Sequence, residues 1–263
     1  MLKTEQRNPK TTHIDQMDAQ DIVEIMNEEN RVAVDAVEAA LPQVARAIDA
    51  ITKGFSAGGR LFYVGAGTSG GLGILDAAEC PPTFGVPDGK VVGLLAGGDI
   101  TNLADNSEDQ DGMGEADLKG HSLCQNDIVV GISAAGGAAY VLGALRYAAA
   151  LGCTTVGITS NPGSPLDQAA DISICTDTGP EVVTGSTRLK AGTAQKLVLN
   201  MLSTGAMIRS GYVYENLMIN LQPSNIKLRQ RMIGIVQDVA GVSAPEAEAR
   251  LEAAEWNIRA AVQ

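Results

Sequence analysis

Apolar residues along this chain follow two patterns, helical spacing and short continuous runs. Continuous rather than alternating apolarity predicts strands that are buried on both faces, as in a parallel sheet. Helical patterns such as residues 140–152 separate these runs, so the chain predicts a doubly wound α/β domain. The predicted strands, each bounded by Gly, Asp, Asn or Ser, are 60–67, 90–98, 127–133, 154–160 and 171–176.

Helical periodicity dominates the region before the first strand and the region after the last. The first fifteen residues are predicted to form an arm. Between Asp18 and residue 55 the apolar spacing predicts two or three helices, with Asp18 as the N-cap of the first. Residues 189–208 predict one long helix that is apolar on more than one face and is therefore buried in a core or a subunit interface.

From about Pro223 onward the sequence pattern is helical. Residues 226–241 predict an amphipathic helix that ends at Gly241, and Ser243 with Glu246 forms an S-x-x-E capping box that predicts another helix start. We therefore expect one domain over residues 1–222, which includes the N-terminal helices and the sheet. A small C-terminal helical appendix is expected over residues 223–263.

Composition limits the partners of this protein. The 263 residues carry a formal charge of −12, a field that repels nucleic acid and anionic membrane surfaces. An anionic substrate would need a local site that overcomes this field. The chain opens with polar residues, unlike a signal peptide, and no apolar run reaches the ~18 residues of a membrane-spanning helix. We expect a cytoplasmic protein that binds neither nucleic acid nor membrane.

The four cysteines, at positions 80, 124, 153 and 175, are scattered along the chain. None forms a C-x-x-C pair and neither histidine lies near a pair of cysteines, so metal and disulfide interpretations are weak. Free thiols in a reducing compartment are the expected state. We therefore expect no metal site.

The glycine-rich loop YVGAGTSGG follows the first predicted strand. Gly65, Gly67 and Gly70 fit G-x-G-x-x-G, and such a loop places backbone N–H groups and a helix start beneath a phosphate. A dinucleotide would also need an acidic residue at the end of the second strand, and Asp99 lies too far along the chain. The hydroxyls of Thr68 and Ser69 point instead to a smaller phosphate ligand, with an ordinary helix N-cap as the alternative.

A similar loop, VVGISAAGGAAY, follows the third predicted strand. Its one hydroxyl belongs to Ser133. This side chain is expected either to bind a ligand or to cap the strand end.

Two long stretches carry a resemblance to a known family. Residues 58–86, GGRLFYVGAGTSGGLGILDAAECPPTFGV, and residues 179–208, GPEVVTGSTRLKAGTAQKLVLNMLSTGAMI, closely resemble the N-acetylmuramic acid 6-phosphate etherases. Residues 4–15 and 158–166 also fit, so that the resemblance covers essentially the whole chain. These etherases belong to the sugar isomerase (SIS) domain superfamily and are related to glucokinase regulatory protein.

The resemblance implies a fold, an assembly and a reaction. The fold would be a three-layer αβα SIS domain with a five-stranded parallel sheet, and the assembly a homodimer whose sites draw on both subunits. The substrate would be a small sugar phosphate. The reaction would release D-lactate and N-acetylglucosamine 6-phosphate from N-acetylmuramic acid 6-phosphate, by elimination and then hydration, without a metal or organic cofactor. It would serve the recycling of peptidoglycan.

Such a reaction needs two positioned carboxyl groups, and the resemblance implies Glu79 in AAECPP and Glu108 in DNSEDQDG. We expect Pro81 and Pro82 to stop the helix that carries Glu79, which leaves this carboxylate at the unfavourable negative end of the helix dipole unless function needs it there. An exposed helix-end glutamate is an equally good explanation of Glu79 from the residues alone. Glu108 alone is typical of a solvent-facing acidic turn.

Further residues are expected to complete the substrate site near the start of the long helix. A basic residue there would balance a phosphate against the acidic surroundings. Surface charges beside a helix start explain each residue about as well. The candidates are Glu181, Ser186, Arg188 and Lys190, in addition to Gly67, Thr68, Ser69 and Ser133 of the two loops.

Both loops depart from the family pattern. The first usually reads GTSGRLG and the second SASGRTPY, and each charge-assisted hydrogen bond lost to a phosphate would cost ~1.5–3 kcal/mol. Family members also usually continue for several helical turns past position 263. The alternatives are a different or unphosphorylated amino sugar as substrate, or a non-catalytic regulator that binds sugar phosphates. The departing residues are Gly71, Ala135, Gly137, Ala138 and Ala139.

Overall fold

The computed structural model describes residues 1–101, 106–221, 223 and 225–262. In these residues each predicted strand is present, and the five strands form one parallel sheet, as expected. A short antiparallel hairpin follows later in the chain. The strands are β1 (Leu61–Gly65), β2 (Val91–Leu95), β3 (Ile128–Ile132), β4 (Thr154–Thr159), β5 (Ile172–Cys175), β6 (Val213–Tyr214) and β7 (Leu217–Met218).

The strand order in the sheet is β2-β1-β3-β4-β5. The central strands β1 and β3 are buried along their whole length, which is why their sequences are continuously apolar. The chain order reverses between these two strands. Loops that leave a parallel sheet at such a reversal diverge and open a crevice at the carboxyl ends of the strands, where ligands of α/β proteins bind.

Helices cover both faces of the sheet, which confirms the three-layer αβα prediction. The helices of the described residues are α1 (Ala19–Ala39), α2 (Leu41–Ser56), α3 (Gly67–Phe84), α4 (Met113–Gly120), α5 (Ala139–Ala150), α6 (Pro165–Ala169), α7 (Lys190–Arg209), α8 (Ile226–Ala240), α9 (Ala244–Ala253) and α10 (Ile258–Ala261). One apolar core lies between the sheet and α1, α2, α3 and α7, and a second lies on the opposite face with α4, α5 and α6.

Several helix boundaries agree with the sequence patterns. Asp18 caps α1, because its side chain accepts a hydrogen bond from the Asp21 backbone N–H at 2.9 Å. The long helix α7 buries residues around most of its circumference, as its apolar composition predicts. Gly241 closes α8 in the left-handed conformation that favours glycine at a helix C-terminus.

Two local predictions are wrong. Pro81 and Pro82 do not stop α3, which continues to Phe84 and ends at Gly85, a left-handed residue with φ of 65°. The last turn forms without the two N–H groups that would donate to the Ala77 and Ala78 carbonyls, and the Gly85 N–H closes the helix by donating to the Pro81 carbonyl. Ser243 does precede α9, but its side chain makes no capping hydrogen bond, so the predicted capping box is not formed.

The amino-terminal arm, residues 1–17, lies in short 3₁₀ turns across the carboxyl ends of the strands. Thr4, Asn8 and Thr11 are buried. The Thr11 hydroxyl donates to the Val182 carbonyl at 2.9 Å, which ties the arm to the segment after β5. The arm therefore forms part of the folded domain.

Helices α8, α9 and α10 pack around an apolar cluster of their own, which includes Met232, Val236 and Leu251. Ile219 and Leu221, which lie before the predicted boundary at residue 222, belong to the same cluster. The division into residues 1–222 and 223–263 stays a prediction. No helix within the described residues is long and apolar enough to cross a membrane.

Candidate active site

A cavity of about 270 Å³ opens at the carboxyl ends of β1 and β3, in the crevice where the strand order reverses. We call it the active-site cavity. It brings together Thr68 and Ser69 of the first loop, Ser133 of the second loop and Glu108. The residues that line it are Glu5, Ala66, Gly67, Thr68, Ser69, Glu108, Ile132, Ser133, Ala134, Ala135, Ala138 and Thr187.

The glycines of the first loop let α3 start directly against the sheet. A Cβ added at Gly70 would lie 2.5 Å from the Gly65 carbonyl oxygen, so both positions require glycine for the close approach of helix and strand. Gly67 adopts a positive φ of 53°. These demands of packing produce the G-x-G-x-x-G spacing without any dinucleotide.

Thr68 and Ser69 lie inside the first turn of α3, and Ala66 occupies the N-cap position. The N-cap alternative for the two hydroxyls is therefore wrong. The Ser69 hydroxyl donates to Oε1 of Gln195 at 3.0 Å, while Nε2 of this buried amide has no partner among the described residues. Rotation of the Gln195 amide would place Nε2 against Ser69 and free the hydroxyl hydrogen for a ligand.

Ser133 lines the cavity and also caps the turn that follows β3, so the capping role is observed and the ligand role stays a prediction. Its hydroxyl oxygen accepts a hydrogen bond from the Gly136 N–H at 3.1 Å, which leaves the hydroxyl hydrogen free to donate. Ala138, at the N-cap of α5, provides no side-chain cap. The N–H groups of the first turn of α5 therefore have no side-chain acceptor at this position.

Glu108 lies on the 3₁₀ turn Asn106–Asp109. Its carboxylate makes no hydrogen bond or ion pair with the residues that the structure describes. Among the described residues that line the cavity, none is lysine, arginine or histidine. Hydroxyls, backbone N–H groups and two helix N-termini are thus the groups that this cavity offers to an anion.

Glu79 does not reach the active-site cavity of its own chain. It is exposed on α3, at roughly 18 Å along the helix axis from Gly67. It lines a second cavity of about 470 Å³ between α3 and α7, which we call the α3–α7 groove. Lys196, Asn200 and Asp76 share this groove.

Asp76 is a buried carboxylate at the base of the α3–α7 groove. Its Oδ1 accepts hydrogen bonds from Asn200 Nδ2 at 2.8 Å and from the Ser203 hydroxyl at 3.2 Å, whereas Oδ2 has no partner among the described residues. Burial raises the pKa of Asp76, and the hydrogen bonds offset only part of this effect. Burial also raises the pKa of the neighbouring Cys80 thiol to about 12, so this cysteine is a thiol at neutral pH.

Glu181 and Lys190 lie away from the cavity in buried contacts. The Glu181 carboxylate accepts the backbone N–H groups of Lys190 and Ala191 at 3.0 Å each and so caps α7. Lys190 Nζ pairs with Glu29 Oε2 at 2.5 Å, with both side chains almost fully buried. Burial alone would raise the pKa of Glu29, but hydrogen bonds from Lys190 and Lys10 lower it below its usual value.

The two remaining candidates do not line the cavity. Ser186 is half-buried and Arg188 is exposed, and the residue between them, Thr187, lines the cavity instead. Sequence reasoning missed Thr187 and Glu5. Both lie in stretches that resemble the etherases, but no spacing within the chain shows that they converge on one cavity.

Comparisons with known proteins place this chain in a family. Residues 43–149 match the glucokinase regulatory protein N-terminal SIS domain, and residues 113–205 match the SIS domain. Among solved structures, a phosphoheptose isomerase from Neisseria gonorrhoeae superposes with a TM-score of 0.54 at 16% identity. The match covers 71% of this chain and 98% of that one, and it shows a shared fold.

Curated relatives are much more similar in sequence. An N-acetylmuramic acid 6-phosphate etherase of Vibrio vulnificus strain YJ016 is 52% identical, with 99% of this chain and 88% of the relative covered. An etherase of the same name from Cronobacter sakazakii is 50% identical, with 99% and 89% covered. The matched region spans both loops, both candidate carboxylates and the C-terminal helices, and the chain therefore belongs to the N-acetylmuramic acid 6-phosphate etherase family.

Proposed function

We propose that this protein is a carbon–oxygen lyase that cleaves the D-lactyl ether of N-acetylmuramic acid 6-phosphate. The single observation that carries the proposal is about 50% identity to curated etherases over nearly the whole chain. The active-site cavity supports it, because hydroxyls, helix N-termini and a free carboxylate converge there. That combination suits a phosphorylated sugar undergoing proton transfer.

The phosphate binds at the two loops in this proposal. The N–H groups at the starts of α3 and α5 and the hydroxyls of Thr68, Ser69 and Ser133 donate hydrogen bonds to its oxygens. Since the loops lack the arginines usual in the family, the helix N-termini carry more of the charge compensation. The departures at Gly71 and Gly137 thus weaken the phosphate site without removing it.

Two glutamates divide the proton transfers. The open-chain aldehyde acidifies the proton on C2, one carboxylate removes that proton, and the C3–oxygen bond to lactate breaks as the second carboxylate protonates the leaving oxygen. Water then adds across the resulting double bond, with its hydroxyl on C3 and its proton on C2. Glu79 is assigned as the acid that protonates lactate, and Glu108 as the base that faces C2.

The separation of the two glutamates argues for a shared site. Glu79 lies roughly 18 Å along α3 from Gly67, which lines the cavity together with Glu108, and this is more than one amino sugar spans. We propose a homodimer in which Glu79 of one subunit completes the active-site cavity of the other. Leu75, an exposed apolar residue that lines the same groove as Glu79, is suited to such an interface.

The direct test is D-lactate release from N-acetylmuramic acid 6-phosphate. Glu79→Gln and Glu108→Gln should each lower kcat by about 100-fold or more, since each removes a general acid or base. Asp109→Asn, on the same 3₁₀ turn as Glu108 but outside the cavity lining, is the matched control and should retain activity. A wild-type protein that releases no D-lactate yet is stabilised thermally by sugar phosphates would overturn the lyase proposal in favour of a regulator.

A further inference from the structure

The amino-terminal arm brings a third carboxylate, Glu5, to the active-site cavity. Glu5 lines this cavity together with Thr68, Ser133 and Glu108. Its carboxylate lies over Gly185, where an added Cβ would come within 3.1 Å of Glu5 Oε2. It makes no hydrogen bond or ion pair with the described residues, so both of its oxygens are available to a ligand.

Asn161, at the end of β4, holds the backbone next to Glu5 in place. Its Oδ1 accepts the Lys3 N–H at 2.7 Å, and its Nδ2 donates to the Thr4 hydroxyl at 3.0 Å. The same Nδ2 donates to the Ala134 carbonyl at 2.9 Å, in the loop that lines the cavity. One buried amide thus fixes the arm to the second phosphate loop, and Glu5 is the next residue after this anchor.

Charge determines which part of a ligand Glu5 can contact. A carboxylate repels a phosphate and cannot donate to it, so Glu5 is unsuited to the phosphate end of the substrate. It is a strong acceptor for O–H and N–H groups. A phosphorylated amino sugar offers both kinds of donor, as ring or chain hydroxyls and as the acetamido N–H.

We propose that Glu5 accepts a hydrogen bond from a hydroxyl or the acetamido N–H of the sugar and so selects amino-sugar phosphates over other small phosphates. This inference rests on the proposed function, which places a sugar phosphate in the active-site cavity. Glu5 is a specificity-determining residue in this proposal. The arm that precedes the sheet in sequence forms one wall of the substrate site.

Calorimetric binding of N-acetylglucosamine 6-phosphate and of inorganic phosphate tests the proposal without turnover. Glu5 repels the phosphate group of both ligands, so this repulsion cancels in the ratio of their two dissociation constants. Glu5→Gln should lower the preference for the sugar phosphate by about 10-fold, and Glu5→Ala by more, because a charge-assisted hydrogen bond is weakened or lost. Asp15→Asn, an exposed carboxylate on the same arm outside the cavity lining, is the matched control and should leave the ratio unchanged.

Kinetics separate substrate selection from proton transfer. With N-acetylmuramic acid 6-phosphate, Glu5→Gln should raise KM about 10-fold with little change in kcat, whereas a general acid or base would lose kcat. An unchanged preference ratio in both Glu5 variants would overturn the inference, and so would a wild-type protein that binds neither ligand. If binding preference shifts as expected but no D-lactate forms, the Glu5 contact stands and the lyase proposal fails.

Discussion

Ser69 shows how one amide controls what a hydroxyl offers to a ligand. Its hydrogen is donated to Gln195 Oε1, so in this arrangement it cannot also be donated to a phosphate. The unpartnered Nε2 of Gln195 shows that the opposite amide orientation loses no hydrogen bond to described residues. We infer that phosphate binding is accompanied by rotation of this amide.

A carboxylate at position 195 would remove this freedom. Gln195→Glu offers only acceptors to Ser69 when ionised, so the hydroxyl hydrogen stays turned away from the cavity. We expect about 10-fold weaker binding of N-acetylglucosamine 6-phosphate, similar to Ser69→Ala, because each variant loses one charge-assisted hydrogen bond. The double variant should bind no more weakly than the worse single variant. Additive losses in calorimetry would show that Gln195 acts independently of Ser69.

The second loop allows a gain of function to be tested. Ala135 and Ala138 line the cavity, so Ala135→Ser with Ala138→Thr would return the hydroxyls that the family usually has there. Binding of inorganic phosphate should tighten by about 10-fold if one hydroxyl donates to it. Ala149→Ser, on the exposed end of α5, is a control without access to the cavity. Unchanged affinity would mean that the loop binds phosphate through its backbone alone.

At the scale of elements, the contact between α3 and α7 contains a carboxylate that burial disfavours. The raised pKa of Asp76 means that the folded state holds this proton more tightly than the unfolded chain does. The contribution of Asp76 to stability is therefore full below the unfolded pKa of about 3.8 and is lost as pH rises through the folded pKa.

Asp76→Asn removes this pH dependence while Oδ1 can still accept from Asn200 and Ser203. We expect the variant to melt at a higher temperature than wild type at pH 8, with the difference shrinking toward pH 4. Thermal unfolding across this pH range measures it. Asp88 is an exposed carboxylate, so Asp88→Asn should change the melting temperature only slightly at every pH. If the melting temperatures of Asp76→Asn and wild type differ by the same amount at every pH, the charge state of Asp76 does not couple to folding.

Sequence patterns predicted helices and strands correctly where burial alone determines the order of apolar and polar residues. The strands β1 and β3 are buried on both faces, so their apolar runs identify them directly. The end of α3 was predicted wrongly because the helix continues through Pro81 and Pro82 without their two N–H donors and ends only at the left-handed Gly85. The convergence of Glu5, Thr187 and Glu108 was beyond pattern reasoning, because it depends on contacts between residues far apart in sequence.

At the scale of the whole molecule, the position of Glu79 outside the cavity that Glu108 lines predicts complementation between subunits. Heterodimers of Glu79→Gln with Glu108→Gln, isolated through two different affinity tags, contain one site with both glutamates if the sites are shared. They should show about half of the wild-type activity per dimer, although each parent homodimer has lost about 100-fold or more. D-lactate release from the purified heterodimers measures this.

The matched control is a heterodimer of Glu79→Gln with the double variant Glu79→Gln/Glu108→Gln. Both of its chains lack Glu79, so it has no complete site whether a site is shared between subunits or lies within one chain. It should be inactive. Inactivity of the first heterodimer as well would show that each site uses the glutamates of a single chain, and that Glu79 must then move to reach Glu108.

The anchoring of the arm also sets the order in which the site can assemble. Thr4 is held by Asn161 and Thr11 by the Val182 carbonyl, across 157 and 171 residues of sequence. During synthesis the arm leaves the ribosome first, yet it has no docking surface until the chain beyond β5 has emerged. Contacts of such long sequence separation form late because the closure of a long loop costs entropy. The cavity wall that carries Glu5 is thus among the last parts to form, so a nascent or partly folded chain cannot yet hold the substrate.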